Sequence, residues 1–234
     1  MRRLFLLAIL TSSTVWSAVV LTNSPAWNDS TSIGTWGDLS TPTYGETVTV
    51  PLDGNNLLSS FTFQIFTATA AIAFKGYVQN WDGTKTTGSP LFTGSGTVTG
   101  TPGAHSYTMT PNVALTPGGV YMLYFSVLGI SEAIHTSTPW GSTSSDTYTG
   151  GAFFFSNVDS GSSASGSVAD LNTAAWGIGT SISPSTPDLA FSATFTAPSA
   201  PEPGAVGLVL LGLTVLVSRV RRCGKPNPAV RRRA

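Results

Sequence analysis

The chain has 234 residues with eleven Lys and Arg against eleven Asp and Glu, and only 9% of its residues are charged. The balance hides a segregation: every arginine lies in the first three residues or after residue 218, while residues 19 to 200 carry only Lys75 and Lys85 against ten carboxylates, a net charge of −8. No basic patch can form on that middle region, which excludes a nucleic-acid partner, and the single cysteine, Cys223, leaves it without disulfides, dependent on its own core.

Met1-Arg2-Arg3 is a positive start, Leu4 to Leu10 an apolar run, and Thr11 to Ser17 small and polar apart from Val15 and Trp16. This order predicts a secretory signal peptide over residues 1–17, with Val15 at the minus-three position of a cut after Ser17.

Residues 18–195 read as one domain. They are rich in Thr, Ser, Gly and aromatics, a composition of strands and turns. Several runs alternate with period two. Phe61, Phe63 and Ile65 oppose Thr62, Gln64 and Phe66. Ile72, Phe74, Gly76 and Val78 share one face. Tyr121, Leu123 and Phe125 alternate with Met122, Tyr124 and Ser126, and Leu189, Phe191, Ala193 and Phe195 form one face of a last strand. Turn signals at Asp53-Gly54-Asn55-Asn56, Asp82-Gly83, Thr101-Pro102-Gly103 and Pro117-Gly118-Gly119 separate them. Short strands at this spacing predict an all-β, antiparallel β-sandwich. Leu115 to Tyr121 resembles the tyrosine corner of Greek-key sandwiches, which gives Tyr121 a structural role. Ser156 to Ser167 is Ser/Gly-rich and reads as a long flexible loop.

Residues 196–203 are a linker that ends in Pro201-Glu202-Pro203. The uncharged run Gly204 to Val217 would make a helix of roughly 21 Å at about 1.5 Å per residue, short of a hydrocarbon core of about 30 Å. Snorkelling by Arg219, Arg221 and Arg222 and local thinning offset part of the gap. The expectation is a transmembrane helix over 204–220 and a basic cytoplasmic tail over 221–234, oriented by the positive-inside rule. The two prolines keep Glu202 on an extended, accessible segment outside.

A Pro-Glu-Pro, a short apolar helix and an arginine cluster, in that order, resemble the PEP-CTERM sorting signal of bacterial exported proteins. The resemblance implies an exosortase-type membrane protease as partner and Pro201, Glu202, Pro203, Arg219, Arg221 and Arg222 as the sorting residues. It implies membrane transit and an end in the cell envelope or extracellular matrix. One departure is the second cluster, Arg231 to Arg233. The stretch from Thr43-Tyr-Gly45-Glu-Thr-Val-Thr-Val50 through Leu58 to Phe63 and Gly76 to Gly83 to Leu91-Phe92 is also similar to sandwich ectodomains with such tails. That similarity implies a jelly-roll-like domain with no assigned activity.

The inventory for chemistry is thin. His105 and His135 have no metal-ligand spacing. There is no G-x-S-x-G elbow, and Gly177-Ile-Gly179 lacks the third glycine of a dinucleotide loop. No catalytic residue, cofactor or metal is therefore assigned. Asp53-Gly-Asn-Asn56 and Asn80-Trp-Asp82-Gly83 have the oxygens for calcium, but turn formation explains both more simply. Aromatics are the better lead, since a tryptophan face stacks on the C–H face of a sugar. Trp81 and Trp140 are the candidates, with burial in the core as the competing reading. The expected function is a non-enzymatic surface or exopolysaccharide-associated protein. A secreted glycan-active enzyme would instead need two carboxylates about 5 to 9.5 Å apart in a cleft. An ice-binding surface ranks lower, because Thr47-Val-Thr49 and Thr97-Val-Thr99 are isolated.

Overall fold

The computed structural model describes residues 17–67, 70–131, 136–161, 166–179 and 188–198. The signal segment up to residue 16, Glu132, His135, the Pro-Glu-Pro motif, the apolar run, the arginine clusters and Cys223 lie outside the described residues.

In chain order the strands are β1 (Val19–Thr22), β2 (Ser32–Gly37), β3 (Thr43–Thr49), β4 (Leu57–Phe66), β5 (Ile72–Trp81), β6 (Thr86–Val98), β7 (Ala104–Met109), β8 (Val113–Ala114), β9 (Val120–Ser126), β10 (Ser137–Gly141), β11 (Phe153–Ser156), β12 (Gly177–Ile178) and β13 (Phe191–Thr196). They form two sheets whose ladders are all antiparallel, consistent with a β-sandwich. One sheet runs β1-β13-β4-β10-β2, with β7 and β8 on β4; the other runs β12-β11-β3-β9-β5-β6. Ser24–Ala26 and Asp170–Asn172 are short 3-10 turns, and among the described residues no helix is long and apolar enough to cross a membrane.

The alternation read from the sequence is the alternation that folds. On β4, Phe61, Phe63 and Ile65 are buried while Thr62, Gln64 and Phe66 are only half-buried. Leu58 is also fully buried, three residues before Phe61, which strict period two forbids. A register shift opposite Thr194 and Phe195 resolves this: Ser60 pairs with Thr194 but Leu58 with Phe195, so Ser59 is an extra residue that resets the face.

β9 lies between β3 and β5 and is buried on both faces from Tyr121 to Ser126. Tyr121, Leu123 and Phe125 enter the main core between the sheets; Met122 and Tyr124 belong to a second cluster with Tyr77, Leu128, Leu171 and Trp176. That outer face is covered by the segment after β11. Trp176 donates its backbone N–H to the Thr84 carbonyl at 2.8 Å and its indole Nε1 to the Leu171 carbonyl at 3.0 Å. Residues 162–165 of the expected flexible loop, Ser156 to Ser167, lie outside the described residues. Ser156 closes β11, Val158 packs on the second cluster, and the Gly161 N–H donates to the Asp38 carbonyl at 3.1 Å.

The tyrosine corner is present in geometry. The Thr116 backbone N–H donates to the Tyr121 hydroxyl at 3.1 Å.

Candidate functional site

Trp81 ends β5 opposite Thr86 of β6, on the outer rim of the second cluster. Its ring lies 4.7 Å from Phe154 and 5.7 Å from Trp176, and it is half-buried. Phe154 pairs with Ile178, which is 41% exposed. Trp81, Phe154 and Ile178 thus present apolar surface on the outer face of this sheet, held from beneath by the stacked Tyr77 and Tyr124 rings, 4.8 Å apart. Gln79 fixes this floor. It accepts the Tyr124 hydroxyl at 2.6 Å and donates to the Gly88 carbonyl, also at 2.6 Å.

Trp140 is elsewhere, and the sugar-stacking reading of it is corrected. It is 0% exposed, wedged among Trp36, Tyr44, Phe63 and Phe125 at ring separations of 5.0 to 5.6 Å. β10 lies between β2 and β4, which turns its indole into the core, where no ligand can stack. The two tryptophans are not brought together.

The two oxygen-rich loops are turns. Asp53 accepts the Asn55 backbone N–H at 3.0 Å, and Asp82 accepts those of Thr84 and Lys85 at 2.8 and 2.9 Å. These bonds hold both carboxyls below the usual carboxylate range. His105 sits on β7, half-buried, with its Nε2 at 3.0 Å from the Thr101 carbonyl.

The most unusual chemistry lies where the sequence offered no signal. Glu46 follows Tyr44 and precedes Val48 on the core-facing side of β3, and it is 0% exposed. Its Oε2 accepts the Leu189 backbone N–H at 3.0 Å; its Oε1 has no hydrogen-bond partner. Asp188 adjoins it, also 0% exposed. Burial and then the Asp188 charge push the Glu46 carboxyl well above its usual range. Burial, then the charge of Asp146, pushes Asp188 up to about 6, against the opposing pull of the Tyr148 and Thr147 backbone N–H groups and the Asn23 amide. No three Asp, Glu, His or Cys side chains converge among the described residues. The pair came together because Asp188 lies just before β13, 142 positions from Glu46, a proximity that only the sheet packing creates.

Fold and chemistry together define a class: an all-β, two-sheet, cysteine-free domain with an aromatic patch outside and an acid pair inside. Comparison with protein-family models, with curated proteins and with solved structures finds no match for the chain.

Proposed function

We propose that the chain is an exported bacterial protein of the cell envelope or its exopolysaccharide matrix, sorted by a PEP-CTERM signal and non-enzymatic. An N-terminal signal helix would direct export. The transmembrane helix over 204–220 would hold the protein in transit while an exosortase-type protease reads Pro201, Glu202 and Pro203, with Arg219, Arg221 and Arg222 keeping the tail on the cytoplasmic side. The exported part would be a jelly-roll-like sandwich.

The observation that carries this reading is the order of Pro-Glu-Pro, apolar run and arginines, matched by a positive, apolar start. A cysteine-free domain that relies on a continuous aromatic core suits it, since such a domain needs no oxidative folding. Polysaccharide association is supported by the Trp81, Phe154 and Ile178 surface, whose apolar area suits the C–H face of a sugar ring. The buried acid pair does not favour a glycan-active enzyme, because Glu46 and Asp188 adjoin within the core and open on no cleft.

Fractionation of the native host tests the sorting. The wild-type protein is expected in the envelope or matrix fraction, and Glu202→Ala is expected to be retained in the membrane. The same distribution for both would contradict the proposal.

A further inference from the structure

On β2, which ends its sheet, the pairing with β10 slips by one residue. Ile33 sits opposite Trp140 and Trp36 opposite Thr138, so Gly34 and Thr35 together face Pro139. This is a β-bulge, and Gly34 takes the left-handed conformation, at φ +51°, that glycine adopts without strain. Bulges at sheet edges and beside functional sites re-aim side chains. Here the bulge makes room for Tyr44, on β3 of the other sheet: a Cβ on Gly34 would overlap the Tyr44 hydroxyl. The Tyr44 ring is held by Trp140 and Phe153, at ring separations of 5.6 and 5.0 Å. Its hydroxyl is therefore delivered to a fixed place beside Gly34.

That place is the wall of a cavity of about 360 Å³ between β2 and the β3–β11 side of the other sheet, a size within the range of small-ligand sites. No charged side chain lines it. The Thr35 and Ser40 hydroxyls bond each other at 2.6 Å on its exposed side, and each keeps a lone pair for a further partner. Asn157, exposed just after β11, adds an amide that both donates and accepts. Burial pushes the Tyr44 phenol up to about 12, with the Thr41 hydroxyl pulling the other way, so it remains a protonated donor at neutral pH. Phe155 adds half-buried ring surface, while its neighbour Phe154 packs on the opposite side of the sheet with the Trp81 patch.

This lining selects among ligands. A sugar carries hydroxyls that donate and accept, and C–H faces that lie on aromatic rings. An apolar ligand would leave the hydroxyls and the amide unpaired. An acidic sugar would meet no cation in the cavity and the net charge of −8 on the domain around it. We propose that the cavity binds one neutral hexose unit, with Phe155 against its C–H face and Thr35, Ser40, Tyr44 and Asn157 bonding its hydroxyls. The proposal rests on the polysaccharide reading above and adds a sugar contact separate from the Trp81 patch.

The test is saturation-transfer NMR on the full chain in detergent micelles, with methyl glucoside, methyl galactoside, methyl mannoside and glucuronate as probes. At least one neutral glycoside should bind, and more strongly than glucuronate. Asn157→Ala and Ser40→Ala lie away from the core, should fold, and should each weaken that binding about tenfold. Gly34→Ala should abolish it by displacing the Tyr44 hydroxyl, with a melting curve to show that the variant is folded. Trp81→Ala should leave it unchanged. Transfer to no neutral glycoside, or stronger binding of glucuronate, would overturn the site. Binding undiminished in both Asn157→Ala and Ser40→Ala but lost in Trp81→Ala would also overturn it, by putting the sugar on the outer patch, and would leave the polysaccharide reading standing. Glycoside binding that follows the cavity variants, without retention of the wild type on the host's polysaccharide, would uphold the site and remove the polysaccharide reading.

Discussion

The Glu46 carboxylate accepts the Leu189 backbone N–H at 3.0 Å across 143 residues of chain, joining β3 to the segment just before β13. Glu46 and Asp188 both have folded-state pKa values raised above their usual ones. A raised carboxyl binds its proton more tightly in the native state, so its contribution is fully present below the unfolded value and is lost as pH rises through the folded value. For Asp188 that window runs from 3.8 to about 6, and the Glu46 carboxyl, raised by burial and then by the Asp188 charge, acts with the same sign. Urea midpoints should therefore fall as pH rises from about 4 to 6. Asp188→Asn should flatten the profile. The depressed acids Asp53, Asp82 and Asp170 act with the opposite sign and only at lower pH. A wild-type midpoint that rises from pH 4 to 6 would contradict this assignment.

The Tyr121 hydroxyl serves one backbone donor, the Thr116 N–H. Tyr121→Phe keeps the ring in the core and removes that acceptor, so it should cost about 1 to 2 kcal/mol of unfolding free energy. Denaturant titration with an unchanged m-value would verify it. A loss within error of zero would mean that water replaces the hydroxyl.

Trp140 and Trp81 should separate stability from binding. Trp140→Ala opens a cavity among four aromatic rings and should cost about 3 to 5 kcal/mol or prevent folding. Trp81→Ala removes a half-buried ring from the rim and should cost less, while weakening retention on the host's own polysaccharide. Affinity electrophoresis against that polysaccharide, beside a melting curve for each variant, distinguishes the two effects. Unchanged retention of a folded Trp81→Ala variant would remove the patch from the account.

Gly151 lies where the chain crosses β3, with the Thr47 N–H donating to the Ala152 carbonyl at 3.0 Å. A Cβ on Gly151 would overlap the Thr47 carbonyl. Backbone cannot yield as a flexible side chain does, so Gly151→Ala should destabilise by about 2 kcal/mol or more. A calorimetric Tm equal to that of the wild type would show that the crossing can move.

Period-two alternation made β4, β5, β9 and β13 readable, because each has a face that must be buried between sheets. The β4 bulge was not readable, since Ser59 and Ser60 look alike and only the partner strand decides which is the extra residue. Leu171 and Trp176 are apolar residues in a Ser/Gly-rich neighbourhood, and nothing local says that they fold back on Tyr77 and Tyr124. Trp140 resembled a loop tryptophan from its Pro-Trp-Gly context, yet it sits on a strand between two others. Glu46 carried the only available hint of the acid pair: an acid at a core-facing position between Tyr44 and Val48.

The sorting claim is tested most directly by the intact mass of the protein recovered from its native host, beside that of a Glu202→Ala variant. The account predicts a wild-type product that begins after Ser17 and ends near Pro203, with the C-terminal cut lost in the variant. A full-length C-terminus in the membrane fraction for both proteins would contradict it.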